Sequence, residues 1–161
     1  MSFNFVAGTE VLKIRSQEEL NEVSSTCSKQ IVVTTYKERP PIIVRKKYCL
    51  PIAFVGDGWV RAEGDADVIV CDNVQCGVFD TASVKAYDDS FVTAKGRSVV
   101  RAYDYSDVTC LDNSQCVAFH NASVRACDKS TVCGEGHASI TTVGTRVDVS
   151  IYDCAYCKSE N

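Results

Sequence analysis

The sequence predicts an all-β protein, a three-sided β-solenoid with an N-terminal cap that contains one short helix. Two observations lead to this prediction. Residues 57–153 divide into consecutive octets such as TASVKAYD and NASVRACD, and the fourth place is Val, Cys or Ile in eleven successive octets. All three prolines lie before residue 52, as expected if the later strands stack and need their backbone N–H groups.

The predicted cap occupies residues 1–56. Ser16 followed by Glu19 is a capping box, and it predicts a short helix near residues 17–26. Two runs rich in β-branched residues, KQIVVTTY and IIVRKKY, predict two strands separated by a pair of prolines. Because a solenoid exposes apolar side chains at its ends, we expect this segment to cover one of them.

The octets themselves predict short strands joined by turns. Their second and sixth places are mostly small and their fourth places apolar, so these places face inward while the third, fifth and seventh face outward. Cys76, Cys110 and Cys116 occupy inward places. The eighth and first places hold the Asp, Gly and Asn residues typical of turns. Because the inward side chains are this small, the pattern indicates a narrow coil.

The eighth place suggests how many octets make one coil. At a spacing of 24 residues, or three octets, Asp80, Asp104 and Asp128 form one column, which Asp153 joins after a one-residue insertion near Arg146. At a spacing of two octets, the columns mix Asp with Gly. We therefore expect about four coils of 24 residues, followed by a tail at residues 154–161. The run DVIVCDN returns as DVTCLDN five octets later, which we interpret as a trace of duplication.

Charge divides unevenly between the two predicted parts. Residues 1–56 hold 8 Lys or Arg and 5 Asp or Glu, whereas residues 57–153 hold 8 and 15. An acidic rod repels phosphate backbones, so we expect no direct nucleic-acid binding and a protein partner with a basic surface instead. With no apolar run near the roughly 18 residues of a membrane span and no secretion signal, we expect no membrane association and a cytoplasmic location.

Candidate chemistry is sparse. The sequence holds no Ser-His-Asp grouping and no Gly-rich phosphate loop, and His120 and His137 fall in turn places, so we expect a non-catalytic protein. Cys154 and Cys157 form the single C-x-x-C, a weak zinc candidate because a structural zinc site needs four ligands. No cofactor is expected otherwise. The candidate protein-binding residues are outward aromatic and turn acidic side chains: Phe79, Tyr87, Tyr103, Phe119, Asp80, Asp104 and Asp128.

The octets, with the pattern A-x-V-x-A-x-[DG]-[ND], resemble short-repeat β-solenoid proteins often carried by phages and bacteria. In shape the chain is distantly similar to pentapeptide-repeat proteins, some of which are acidic rods that mimic DNA and inhibit topoisomerases. The resemblance is specific for architecture and says little about activity. The acidic, rigid repeat surface and the absence of catalytic groups lead to the hypothesis of a phage-type inhibitor that blocks a host nucleic-acid enzyme, such as a CRISPR effector or a topoisomerase, in the host cytoplasm. Two alternatives stay open: a self-assembling structural solenoid and a zinc-dependent module. The protein is expected to be a monomer or a small homo-oligomer.

Overall fold

The computed structural model describes residues 10–144 and 146–160, and they form a β-solenoid of about nine turns with one short helix. In chain order the elements are β1 (Val11–Ile14), α1 (Gln17–Glu22), β2 (Gln30–Thr35), β3 (Ile42–Val44), β4 (Ile52–Gly56), β5 (Trp59–Ala62), β6 (Asp67–Val70), β7 (Gln75–Val78), β8 (Ser83–Ala86), β9 (Phe91–Ala94), β10 (Val99–Ala102), β11 (Asp107–Cys110), β12 (Gln115–Ala118), β13 (Ser123–Cys127), β14 (Thr131–Gly134), β15 (Ser139–Val143), β16 (Asp148–Ile151) and β17 (Tyr156–Glu160).

The strands form two parallel sheets, which line the two sides of a flat coil. The first sheet has nine strands in the order β1-β2-β4-β6-β8-β10-β12-β14-β16, and the second has eight in the order β17-β15-β13-β11-β9-β7-β5-β3. Each octet supplies one strand, and successive octets alternate between the sheets. One turn therefore contains two octets.

The predicted coil of three octets and three sides is wrong. Val84 pairs with Val100, and Val100 pairs with Cys116, so neighbouring strands of a sheet are two octets apart. About nine short turns replace the expected four long ones. The predicted one-residue insertion is confirmed, because Thr131 pairs with Asp148, which is one residue beyond the two-octet spacing.

The predicted inward places are confirmed. In the eleven octets from residue 57 to residue 144, every second, fourth and sixth place is buried, and Cys76, Cys110 and Cys116 fill such places. One continuous core runs along the axis from Ile14 to Ile140. A smaller cluster lies outside the coil, on the outer face of the first sheet, and contains Val32, Ala53, Ile69 and Cys71.

The N-terminal segment contains the predicted helix. Ser16 is the N-cap, and its Oγ accepts a hydrogen bond from Glu19 N at 3.2 Å, as a capping box requires. Glu19 Oε2 accepts its hydrogen bond from Arg15 N at 2.8 Å, one residue before the N-cap. The helix begins where expected and ends at Glu22, and it places Leu20 in the core at 2% exposure. The strands of residues 10–56 lie in the same two sheets as the octets, so pairing continues across residue 57.

The eighth place of the octet adopts the left-handed conformation. Its φ lies between 56° and 59° for the seven residues Asp72, Asp80, Asp88, Asp104, Asp112, His120 and Asp128, and Gly fills the other four such places up to residue 144. Asp and His tolerate this region better than most residues, and Gly adopts it freely. The Asp carboxylates also bind the coil before: Asp112 Oδ2 accepts from Gly96 N at 3.0 Å, and Asp128 Oδ2 accepts from Asp112 N at 3.2 Å.

We expect Asp112→Ala to lower the free energy of unfolding by about 1–2 kcal/mol. Alanine is strained at a φ of 57° and leaves Gly96 N without its carboxylate acceptor. Asp112→Asn keeps both features and should change stability by less than about 0.5 kcal/mol. Urea unfolding of both variants measures the difference. Equal stability of the Ala and Asn variants would show that the eighth place requires neither a residue that tolerates positive φ nor a side-chain acceptor.

Candidate protein-binding edge

The two-octet turn divides the predicted site between two edges of the solenoid. Asp104, Tyr87, Tyr103 and Phe119 lie at the turns that follow strands of the first sheet. The turns that follow the second sheet hold the other predicted residues, Asp80, Asp128 and Phe79. The expected column of three aspartates is thus absent, because its members are three octets apart, which is one and a half turns.

The turns after β4, β6, β8, β10, β12, β14 and β16 of the first sheet form what we call the acidic edge: residues 55–57, 71–73, 87–89, 103–105, 119–121, 135–137 and 152–154. They contain no Lys or Arg and seven acidic residues, which are Asp57, Asp72, Asp88, Asp89, Asp104, Glu135 and Asp153. The opposite edge, residues 63–65, 79–81, 95–97, 111–113 and 127–129, carries five acidic residues and also Lys95, Arg97 and Lys129. The turn after β2 adjoins the acidic edge and holds Lys37 and Arg39, and Lys37 N donates to Asp57 Oδ1 at 3.3 Å. From β4 to β16, the negative charge is unopposed on the acidic edge alone.

Stacked aromatic rings run along the same acidic edge. The ring centroids of Tyr87 and Tyr103 are 4.7 Å apart, and those of Tyr103 and Phe119 are 4.9 Å apart, with an angle of 7° between the planes in each pair. The spacing equals that of neighbouring strands, because seventh places of successive turns lie directly above one another. The rings are half-buried. The pKa of Tyr87 is raised, mainly because the ring is buried and to a smaller extent because Tyr103 lies beside it. Tyr105, in a first place of this edge, is 68% exposed.

His120 interrupts the row of aspartates on the acidic edge. Its Nδ1 lies 3.4 Å from Asp104 N and 3.3 Å from Asp104 Oδ1. A neutral imidazole accepts the backbone hydrogen bond as an Asp carboxylate does elsewhere, whereas an imidazolium pairs with the Asp104 carboxylate. The histidine thus serves as a turn residue, and the described contacts give it no nucleophile to activate.

Phe79 lies against the outer face of the second sheet, apart from the other predicted aromatics. Its ring covers Gly77, where an added Cβ would lie 2.9 Å from Phe79 Cε2, and the Arg61 guanidinium carbon is 4.5 Å from the ring centroid. Trp59 and Phe91, at 49% and 51% exposure, line the same shallow groove of about 360 Å³. This groove is a second apolar surface, separate from the acidic edge.

Cys154 and Cys157, the predicted zinc pair, both lie in the last coil as exposed free thiols. Cys154 takes a turn place, and Cys157 pairs with Ile140 in an inward place. Across residues 10–144 and 146–160, no cluster of three or more His, Cys, Asp or Glu side chains is arranged to hold a metal ion. The structure therefore adds no ligand to the pair.

The buried thiols behave as small core residues. Desolvation raises the pKa of Cys76 to about 12, and desolvation with the nearby Asp88 and Asp72 carboxylates raises the pKa of Cys71 to about 12. A hydrogen bond between Cys110 and Cys116 lowers the pKa of Cys110 and raises that of Cys116. Cys71 and Cys76 are thus protonated at neutral pH and poor nucleophiles.

The sequence reasoning missed the acidic edge as a surface. Asp57, Asp72, Asp88 and Asp89 were assigned to turns and not to a site, and the exposed Tyr105 was passed over. The signal was available: with two octets per turn, the seventh and eighth places of every second octet and the first place of the next octet form one column of turns. From residue 57 to residue 137, that column contains all of these residues and no Lys or Arg.

No known protein-family model matches the chain, and no match is found among curated proteins or among solved structures. In the described part of the chain, no helix is long and apolar enough to cross a membrane. The geometry and charge of the acidic edge are thus the observations on which a functional proposal rests.

Proposed function

We propose that the protein is a non-catalytic inhibitor whose acidic edge binds the basic, nucleic-acid-binding surface of a protein partner. The observation that carries this proposal is the absence of Lys and Arg from the seven successive turns of the acidic edge, which hold seven acidic residues. Six strand spacings separate Asp57 from Asp153, so the edge extends about 29 Å at roughly 4.8 Å per strand. This length suits a groove that holds a nucleic-acid backbone.

The rigidity of the edge supports this proposal. Each turn is fixed by the left-handed eighth place and by hydrogen bonds to the coil before, such as Asp72 Oδ2 with Gly56 N at 3.0 Å. Charges held in fixed positions lose little conformational entropy on binding. They also accelerate association with an oppositely charged surface.

The aromatic residues supply apolar contact beside the charge. Tyr105 is 68% exposed, and Tyr152, at the same edge, is 56% exposed. Arginine guanidinium groups pair with carboxylates and also stack on tyrosine rings, so an arginine-rich surface fits both features of this edge. In this proposal the protein works in the cytoplasm, that of the host cell if a phage encodes it, and its targets include CRISPR effectors and topoisomerases.

The test compares two triple variants with the same chemistry on opposite edges. Asp72→Asn, Asp88→Asn and Asp104→Asn neutralise the acidic edge, and Asp80→Asn, Asp112→Asn and Asp128→Asn neutralise the opposite edge. All six positions are eighth places with positive φ, and asparagine tolerates this conformation and still accepts a hydrogen bond. Both variants therefore contain three Asp→Asn substitutions at eighth places. They differ only in which edge of the solenoid loses its charge.

The immobilised protein is used to capture partners from a bacterial lysate, and each captured protein is tested for nucleic-acid binding and its displacement by the solenoid. We expect the acidic-edge variant to displace nucleic acid at least about tenfold less well, while the opposite-edge variant stays close to wild type. Equal losses in both variants, or captured proteins that bind no nucleic acid, would contradict the proposal.

A further inference from the structure

The last coil leaves its inward side chains uncovered. Val149 and Ile151 of β16 occupy the same places as Val132 and Gly134 of the strand before, which are buried. Ile151 is nevertheless 38% exposed and Val149 half-exposed. In β17, Cys157 takes the place of the fully buried Ile140 and is itself exposed. The described residues thus end in an apolar cross-section.

Both strands of this coil have a free edge. β16 and β17 are the terminal strands of the two sheets, and each pairs on one side only. Every second residue bonds back into the solenoid, with Asp148 N bonded to Ser130 O at 3.1 Å and Tyr156 N bonded to Ala138 O at 3.1 Å, and the N–H and C=O groups of the residues between point to the free edge. Free strand edges of this kind readily add a further strand.

The opposite end of the solenoid differs, because the helix α1 packs there. Leu20 of the helix is 2% exposed, and Ile14 of β1, beside it in the core, is 4% exposed. The core is thus covered near the N-terminal end and open at the last coil.

We propose that a second copy of the chain covers the last coil, end to end, to form a closed dimer. The coil reverses direction between the sheets, so the two free edges run in opposite directions and lie about 10 Å apart, the usual distance between packed sheets. A two-fold axis in the plane of this end sets each free strand antiparallel to a free strand of the second copy. The second copy also supplies an equal apolar cross-section.

The charges around this end permit the contact. The last coil carries Arg146 and Lys158 together with Asp148, Asp153 and Glu160, so each copy offers both signs. Two acidic edges placed side by side would repel each other instead. Because the two-fold contact uses the same end of both copies, the assembly closes at two copies and does not extend into a filament.

Sedimentation or light scattering over a range of concentrations tests the dimer, which should have twice the mass of the 17.6 kDa chain. Ile151→Asp places a charge in the proposed contact and should give a monomer. Phe91→Asp is the control, since Phe91 is 51% exposed on the outer face of the second sheet and should leave the dimer intact. A wild type that stays monomeric to its solubility limit, or forms larger species, would overturn the proposal.

Hydrogen exchange of the wild-type protein gives an independent reading that needs no variant. The amides of β16 and β17 should become protected as concentration rises through dimerisation, while those of β10 and β11 stay unchanged. A dimer whose β16 and β17 amides show no such protection would place the contact elsewhere and overturn the proposal. The dimer does not depend on the proposed function, because neither measurement involves a partner.

Discussion

Val108→Asp should unfold the solenoid at room temperature. Val108 is 0% exposed in a fourth place of β11, paired with Val92 and Val124 of the neighbouring strands. An aspartate there has no cation within the core to pair with, and burying it costs several kcal/mol, a large part of the roughly 5–15 kcal/mol that stabilises a typical domain. Circular dichroism and urea unfolding measure the loss.

Thr109→Asp is the matched control for this substitution. Thr109 is the next residue of the same strand and faces outward between Thr93 and Arg125. We expect a change of less than about 0.5 kcal/mol, as for most surface positions. A stable Val108→Asp protein, or an equal loss at Thr109, would mean that the alternation of inward and outward places does not hold the coil together.

This alternation could be predicted from sequence because it is a local property of a strand. Successive side chains point to opposite faces whatever the fold, so a small-apolar-small pattern in places two, four and six identifies the buried face. Cys76 and Cys116 show the strength of the pattern, since both replace Val in the fourth place and both are buried. Knowing which face is buried does not depend on how many octets close a coil.

The coil size was predicted wrongly because the eighth place was compared by chemistry and not by backbone conformation. A column that mixes Asp with Gly looked irregular. Gly96 and Asp112, however, have φ values of 74° and 57°, so both adopt the left-handed backbone conformation. His120 belongs to the same class, with a φ of 56°. The column of Asp at a spacing of three octets was therefore a coincidence of side chains within one conformational class.

The repeat at a spacing of five octets fits the observed coil in an informative way. Five octets are two and a half turns, so the two copies lie in different sheets. DVIVCDN contains β6 of the first sheet, and DVTCLDN contains β11 of the second. A duplication of this length moves turn residues from one edge to the other, and similarity between octets is then a poor guide to which residues share an edge.

The first turns were only partly predictable, because their lengths vary. Strand partners near the N-terminus are separated by more than two octets, and the excess differs among three pairs: Val11 with Gln30, Val32 with Ala53, and Ile42 with Val60. A search for a fixed period cannot detect such spacings. β1 and β4 therefore went unnoticed, whereas the helix was found because its signal, a capping box, is local in the sequence.

Tyr103→Ala should lower the free energy of unfolding by about 3 kcal/mol, because it removes both ring pairs and their buried area at once. Tyr103 is the central ring of the three, 4.7 Å from Tyr87 and 4.9 Å from Phe119. Its loss leaves those two rings about 10 Å apart, two strand spacings, with one face of each exposed. Urea unfolding measures the stability, and Tyr103→Phe, which keeps the ring, should stay within about 0.5 kcal/mol of wild type.

Tyr105 allows stability and binding to be separated on the same turn. It lies two residues from Tyr103 on the acidic edge and is 68% exposed, so Tyr105→Ala should leave stability unchanged. If the edge binds an arginine-rich surface, the same change should weaken that binding, because the exposed ring is available for stacking. If a Tyr105→Ala protein binds its partner as tightly as wild type, the aromatic residues of this edge stabilise the solenoid and do not contact the partner. The carboxylates would then be the binding groups of the edge.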